Sequence, residues 1–220
     1  MIGHTDRLPE PRTSVIILAG GRSARLGRDK SFLVLDGQPL VARAVDKLLA
    51  LSDDLVVVTN DATRYEPLAL RARLVPDERP GEGALMGVYS GLKAARYSQA
   101  LVVACDMPFL NLSLLRYMLS LASSHDLVIP RMGEFLEPLH AVYSRACLPA
   151  IARLLDQGRR QIIAFFHEVQ VRYVEEDEVD RFDPRHLSFV NVNTPQDWEW
   201  VQGVLRGQGK PGSPGHLDEP

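Results

Sequence analysis

Ser14-Val15-Ile16-Ile17-Leu18-Ala19-Gly20-Gly21-Arg22-Ser23-Ala24-Arg25-Leu26-Gly27-Arg28-Asp29-Lys30 is the stretch whose reading decides the fold. An unbroken apolar run from Val15 to Ala19, rich in β-branched residues, stops at a glycine pair. Such a run reads as a strand buried on both faces, as in a parallel sheet. The loop that follows leaves from the strand's carboxyl end, where open α/β sheets bind their ligands. Gly20 and Gly21 allow a sharp turn and bring backbone N–H groups close to an anion. Arg22, Arg25, Arg28 and Lys30 add positive charge to those donors, a combination suited to phosphates.

Spacing excludes two familiar phosphate loops. A P-loop requires Gly-Lys followed by Ser or Thr, whereas Lys30 follows Asp29. The dinucleotide fingerprint Gly-x-Gly-x-x-Gly is not supplied by Gly20, Gly21 and Gly27.

The rest of the chain alternates in the same style. Leu55–Val58, Arg73–Val75 and Leu101–Ala104 read as further buried strands. Helical spacing appears after Pro39 (Leu40, Ala44, Val45, Leu48), over 85–95, and after a cap at Asn111. Phe32–Leu35 is a short apolar segment closed by the turn pair Asp36-Gly37. Strands alternating with helices predict an α/β fold with a doubly wound, mostly parallel sheet. The second half is less regular. Leu127–Ile129 and Gln170–Val174 read as strands, and 135–143 as an edge or antiparallel strand. Helices are expected over 145–155 and 161–166, a strand over Phe189–Val192, and a last helix from Thr194-Pro195 to Leu205. Residues 1–13 read as a loose lead-in, 14–206 as a single domain, and 207–220 as a disordered tail.

Bulk properties limit the function. With 220 residues, 45% hydrophobic and 24% charged, the chain has the composition of a globular protein with one substantial core. A net charge of −3 gives no footprint for nucleic acid. No apolar run approaches the roughly 20 residues that span a bilayer, and the first residues lack the apolar core of a secretion signal. A cytoplasmic enzyme without membrane contact is the expectation. Cys105 and Cys147 lack zinc-ligand spacing and read as small buried hydrophobes.

Asp106 follows a buried strand directly and precedes a proline turn, so its carboxylate projects from the sheet edge where the first loop opens. A carboxylate facing a basic, glycine-lined loop suits Mg²⁺ bridged to phosphates; the competing reading is a helix cap. Asn191 and Asn193 lie two apart on the expected strand and share a face. There they would bind a second substrate, complete a metal site, or close strand-end hydrogen bonds. His167, Trp198 and Trp200 are assigned to packing or surface.

These elements resemble a nucleotidyltransferase signature, Leu-Ala-Gly-Gly-x-x-x-Arg-x-Gly with a lysine shortly after. In the form Leu18-Ala19-Gly20-Gly21, Arg25-Leu26-Gly27, Asp29-Lys30, the chain looks most like the molybdenum cofactor guanylyltransferases. The likeness continues through Gly83-Ala84-Leu85-Met86-Gly87, where Ala84 and Met86 depart from the family pattern. It extends through Cys105-Asp106-Met107-Pro108 and Gln157-Gly158-Arg159-Arg160 to Phe189-Val190-Asn191-Val192-Asn193-Thr194-Pro195. What it implies is transfer of GMP from GTP to the terminal phosphate of molybdopterin, with loss of pyrophosphate, on a Rossmann-like nucleotidyltransferase fold carrying a small antiparallel acceptor-side extension. By resemblance, backbone groups of Leu18, Ala19, Gly20 and Gly21 meet the base and sugar, Arg25 and Lys30 the phosphates, and Asp106 the magnesium. Asn60, with Thr59 as an alternative equivalent, reads the base and Asp77 joins it in the nucleotide site, although both also read as turn-forming residues. His140 and Arg159 stand with Asn191 and Asn193 as acceptor contacts, although His140 also reads as a plain strand residue. Transient contact with cofactor-synthesis or acceptor enzymes fits such a role. Gly20 favours GTP, since the related cytidylyltransferases carry alanine there. The alternatives are CTP-dependent or sugar- or polyol-phosphate transfer on the same fold, or a non-catalytic nucleotide-binding carrier of the cofactor.

Overall fold

The computed structural model describes residues 12–19 and 29–207. Strand β1 (Thr13–Leu18) is buried along its whole length, so Thr13 belongs to the sheet and not to the lead-in. A 3-10 turn over Lys30–Phe32 leads into a hairpin, β2 (Val34–Leu35) and β3 (Gln38–Pro39). Its tip, Asp36-Gly37, has φ of 54° and 79°, the left-handed pair that two-residue hairpins need. Helix α1 (Leu40–Leu48) follows, then β4 (Leu55–Val58), a single-turn α2 (Ala62–Tyr65), β5 (Arg73–Val75), α3 (Ala84–Ala94) and β6 (Gln99–Ala104). Helix α4 (Leu112–Leu121) is capped by Asn111, whose side chain accepts from the Ser113 and Leu114 N–H groups.

The remaining elements are β7 (Leu127–Met132), β8 (Phe135–Leu136), β9 (His140–Ser144), α5 (Leu148–Asp156), β10 (Val171–Glu175), α6 (Glu176–Asp180) and α7 (Pro195–Leu205). The main sheet runs β10-β7-β9-β6-β1-β4-β5, with β8 on β7. β1, β4, β5 and β6 are mutually parallel, as is the β7–β10 pair, and β9 is antiparallel to both its neighbours. The expected mostly parallel α/β sheet is present, with antiparallel pieces at β9, β8 and the separate hairpin.

The unbroken apolar run of β1 has a direct packing explanation. Val15 and Ile17 face a layer that includes Val41, Val45 and Leu48 of α1 and Leu114, Leu115 and Met118 of α4. Ile16 and Leu18 face the opposite layer, with Leu85, Val88 and Leu92 of α3 and Ile151, Leu154 and Leu155 of α5. With helices on both faces, every second residue cannot be polar.

Several expectations change. The 135–143 segment breaks at Pro138 into two strands, because proline cannot donate to a ladder. The expected helix near 161–166 is a 3-10 helix over Ile162–Glu168. Phe189–Val192 is not a strand. A 3-10 turn over Leu187–Phe189 precedes an extended piece whose backbone bonds go elsewhere: Val192 N–H donates to the Asp106 carbonyl at 3.0 Å, and Asn193 N–H to the Asp197 carboxylate at 2.8 Å. Helix α6 had no apolar signal. A capping box between Glu175 and Glu178 holds it instead.

Gly91 lets α3 lie against β1. A Cβ there would stand 2.5 Å from Ile16 Cγ2, whereas one at Gly203 of α7 would meet nothing within 4 Å. Gly91→Ala is therefore expected to lower stability by about 1–3 kcal/mol through overpacking against a stiff β-branched side chain. Gly203→Ala should raise it by about 0.5–1 kcal/mol. Urea midpoints of the two variants provide the measurement.

Candidate active site

The carboxyl ends of β1, β4, β5 and β6 point the same way because the strands are parallel. Leu18 is in register with Val58 on one side and Ala104 on the other. Ala19 N–H donates to the Val58 carbonyl at 2.9 Å and Cys105 N–H to the Leu18 carbonyl at 3.0 Å, extending both ladders past the strand ends. The chain visits β4 and β5 on one side of β1 and then crosses to β6 on the other, so β1 stands at the topological switch point. A cleft of ≈ 1890 Å³ opens there among the described residues. That is larger than the roughly 300–1,000 Å³ of a single small-ligand pocket.

One half of the cleft is charged. Asp106, two residues beyond β6, meets Lys30, whose Nζ donates to Asp106 Oδ2 at 2.8 Å and to Asn193 Oδ1 at 2.5 Å. Lys30 is held by its neighbours. Asp29 accepts from Ser31 N–H at 3.1 Å through one oxygen and from Arg64 at 2.8 Å through the other. The Arg64 guanidinium lies 4.6 Å from the centre of the Phe32 ring. Tyr65 donates its hydroxyl to the Ala19 carbonyl at 2.6 Å, which pins the end of β1. Ser31 Oγ lies 3.2 Å from Cys105 Sγ. Burial pushes both cysteine thiols up to about 12, so they are the inert apolar residues expected.

The other half is a small polar pair. Asn60 Nδ2 donates to Asp77 Oδ2 at 2.7 Å, and Asp77 N–H donates back to Asn60 Oδ1 at 2.9 Å. Asp77 Oδ1 is buried without a partner among the described residues. It lies 3.6 Å from where a Cβ on Gly87 would stand. The amino end of α3 opens beside it, and Gly83 takes φ +83° as the residue before that helix. Burial raises the Asp77 carboxyl above its ordinary 3.8, while the Asn60 amide opposes the shift. Since the folded chain holds this proton more tightly than the unfolded one, Asp77 withdraws stability as pH climbs from 3.8 through the raised value.

Leu18, Ala19, Lys30, Asn60, Asp77 and Asp106 all line the cleft, together with Thr59. Gly20, Gly21 and Arg25 lie outside the described residues. The acceptor candidates separate. Asn193 lines the cleft, but Asn191 does not share its face, because its amide turns back to the Phe189 carbonyl at 3.2 Å. Arg159 is exposed in the turn after α5 and is absent from the cleft wall. His140 is fully buried in the core, edge-on to Phe189 with ring centroids 5.0 Å apart. Burial drives its imidazole down to about 4, so it is neutral near pH 7 and offers an acceptor no surface in this conformation. β9 is buried on both faces, and alternation puts His140 in the layer of Val142 and Phe189.

Several cleft residues escaped sequence reasoning, among them Asp29, Arg64 and Tyr65. Asp29 and Arg64 are 35 positions apart, and Tyr65 reaches β1 only through the fold. Trp198 packs, as expected, against the cluster of Val190, Val192 and Val201, and it also lines the cleft. Its place one turn after Pro195 was the available signal.

A carboxylate and lysine at the switch point of a parallel sheet, opposite a polar pair with a vacant acceptor, make the cleft of a nucleotidyltransferase. Comparison with known proteins agrees. A family model described as "MobA-like NTP transferase domain" matches residues 15–173. A molybdenum cofactor guanylyltransferase of Desulfosudis oleivorans is 38% identical over 193 residues, covering 87% of this chain and 95% of that protein. The protein of the same name from Syntrophotalea carbinolica is 36% identical, covering 84% and 89%. The crystal structure of molybdopterin-guanine dinucleotide biosynthesis protein A from Archaeoglobus fulgidus superposes with a TM-score of 0.78 at 27% identity, over 89% of this chain and all of that one. The chain belongs to the molybdenum cofactor guanylyltransferase family and is a nucleotidyltransferase enzyme of molybdenum cofactor biosynthesis. Among the described residues no helix is long and apolar enough to cross a membrane.

Removing the amide opposite Asp77 should expose its full burial shift. In Asn60→Ala the Asp77 carboxyl is expected to titrate at still higher pH than in the parent, read by ¹³C NMR of the side-chain carboxyl. A lower value would exclude Asn60 as its stabilising partner.

Proposed function

We propose that the cleft transfers GMP from GTP to the terminal phosphate of molybdopterin and releases pyrophosphate. An oxygen of the acceptor phosphate attacks the α-phosphorus in line, and the bond to the pyrophosphate oxygen breaks. The attacking phosphate is already anionic, so the chain needs neither a nucleophile nor a general base. The observation that carries the reading is the joint presence of Lys30, Asp106 and Asn193 in one half of a cleft whose other half holds Asn60 and Asp77.

Each half has a task. The unpartnered oxygen of Asp77 suits a base that presents hydrogen-bond donors. Guanine and cytosine both present such a donor, so the choice of guanine rests on the guanylyltransferase relatives. Lys30 suits the phosphates, where its positive charge offsets charge growing on the leaving group. Asp106 Oδ2 and Asn193 Oδ1 are two oxygen donors already turned toward one cation, the Lys30 ammonium. They fit Mg²⁺, which takes oxygen ligands and is commonly held by one or two carboxylates plus substrate phosphates. Magnesium bound there would supply charge neutralisation on the phosphates. Alignment is the work of the chain itself: the β1 end, pinned by Tyr65, and the α3 amino terminus define where a nucleotide lies. The cleft volume leaves room for a second substrate beside the nucleotide. We place the reaction in the cytoplasm.

Lys30→Ala and Asp106→Ala are each expected to cut pyrophosphate release with GTP, Mg²⁺ and molybdopterin by about 10²–10³-fold, with melting temperatures close to the parent. Normal turnover in either variant would overturn the assigned site. In a thermal-shift panel of GTP, CTP, ATP and UTP with Mg²⁺, GTP should stabilise most. A larger shift with CTP would replace guanine by cytosine, and absence of pyrophosphate release from the parent protein would leave a nucleotide-binding carrier.

A further inference from the structure

The two tasks given to Lys30 and Asp106 conflict in the nucleotide-free protein. Lys30 Nζ already sits between Asp106 Oδ2 and Asn193 Oδ1, at 2.8 and 2.5 Å. The Lys30 and Asp106 side chains are only 19% and 16% exposed, so solvent screens the pair poorly. We infer that Lys30 acts as an internal cation holding the space between Asp106 and Asn193, so that a divalent cation enters only together with the nucleoside triphosphate whose phosphates draw Lys30 away. This rests on reading Asp106 as the metal-holding residue.

Charge balance supports the inference. One ammonium against one carboxylate is neutral. A divalent cation added at Asp106 would face the ammonium at close range, and the other carboxylate in this half of the cleft, Asp29, is already engaged by Arg64 and the Ser31 N–H. A triphosphate brings several negative charges at once, enough to partner both cations. Geometry supports it as well. The backbone at Lys30 is fixed by the Asp29 cap and that at Asn193 by its bond to Asp197, so the exchange needs only the lysine side chain to swing. Its four-carbon stem and point charge suit such a movement. Lys30 is then both the guard of the cation position and a phosphate ligand once nucleotide arrives.

The test uses Mn²⁺ alone, followed by electron paramagnetic resonance, on the full chain without nucleotide or acceptor. Lys30→Met is expected to bind Mn²⁺ about tenfold more tightly than the parent, the scale set by loss of one competing ion pair. Lys30→Gln should give the same gain. Arg64→Met removes a positive charge from the same cleft without touching Asp106 and should change Mn²⁺ affinity less than about threefold. Adding Asp106→Asn to Lys30→Met should abolish the gain. Equal nucleotide-free Mn²⁺ affinity in parent and Lys30→Met would overturn the inference, as would an equal gain from Arg64→Met. If neither parent nor Lys30→Met binds Mn²⁺ even with GTP, the metal assignment of Asp106 itself fails; Mn²⁺ binding by the parent with GTP separates that failure from the first.

Discussion

Parallel pairing of β1 with β4 on one side and β6 on the other is the constraint from which the rest follows. It aligns Leu18 with Val58 and with Ala104, so three loops must leave from one edge at one height. Neither loop sequence needs to encode the meeting of Lys30 with Asp106. The ladder delivers them, and the apolar contacts on both faces of β1 hold the ladder. At the other end of the strand, buried Asp54 accepts from Ser14, Arg73 and the Arg96 N–H, at 2.6, 2.8 and 2.8 Å. β1 is therefore tied at both ends, by Asp54 below and by Tyr65 at Ala19 above.

On that frame the cleft divides its labour by charge. The Asn60–Asp77 half is a hydrogen-bonded polar pair in which one carboxylate oxygen has no partner among the described residues. The Lys30–Asp106–Asn193 half is an ion pair with an amide oxygen beside it. A half-buried carboxylate and ammonium stabilise one another only while they stay together. On the proposed reading, a cation entering beside Asp106 would have to separate them, and a polyanionic substrate would supply the compensating charge. Under that proposal, affinity for nucleotide and affinity for metal would be linked by the same side chain, and the linkage would be reciprocal.

Much of the molecule was legible in the chain. The strands β1, β4, β5 and β6 show as β-branched apolar runs, and α1 and α4 as periodic ones, because burial between two layers leaves a plain pattern. The second half was harder. Phe189–Val192 has strand composition, yet its backbone is drawn to the Asp106 carbonyl and the α7 cap. α6 rests on a capping box of acidic residues with little apolar content. His140 sits in a segment of the expected type, but β9 is covered on both faces, so His140 lies in the core, where burial keeps it neutral.

The sequence by itself determined the fold class, the strand-end positions of Asn60, Asp77 and Asp106, and the family, because these depend on local pattern and short motifs. Only the tertiary structure decided which polar residues share the cleft. It joined Asn193 to Lys30 across 163 positions and Arg64 to Asp29 across 35, and set Asn191, Arg159 and His140 apart. The physical reason is that pattern reports which face of an element is buried, whereas a site is made by contacts distant along the chain, whose partners are chosen by the order of strands in the sheet.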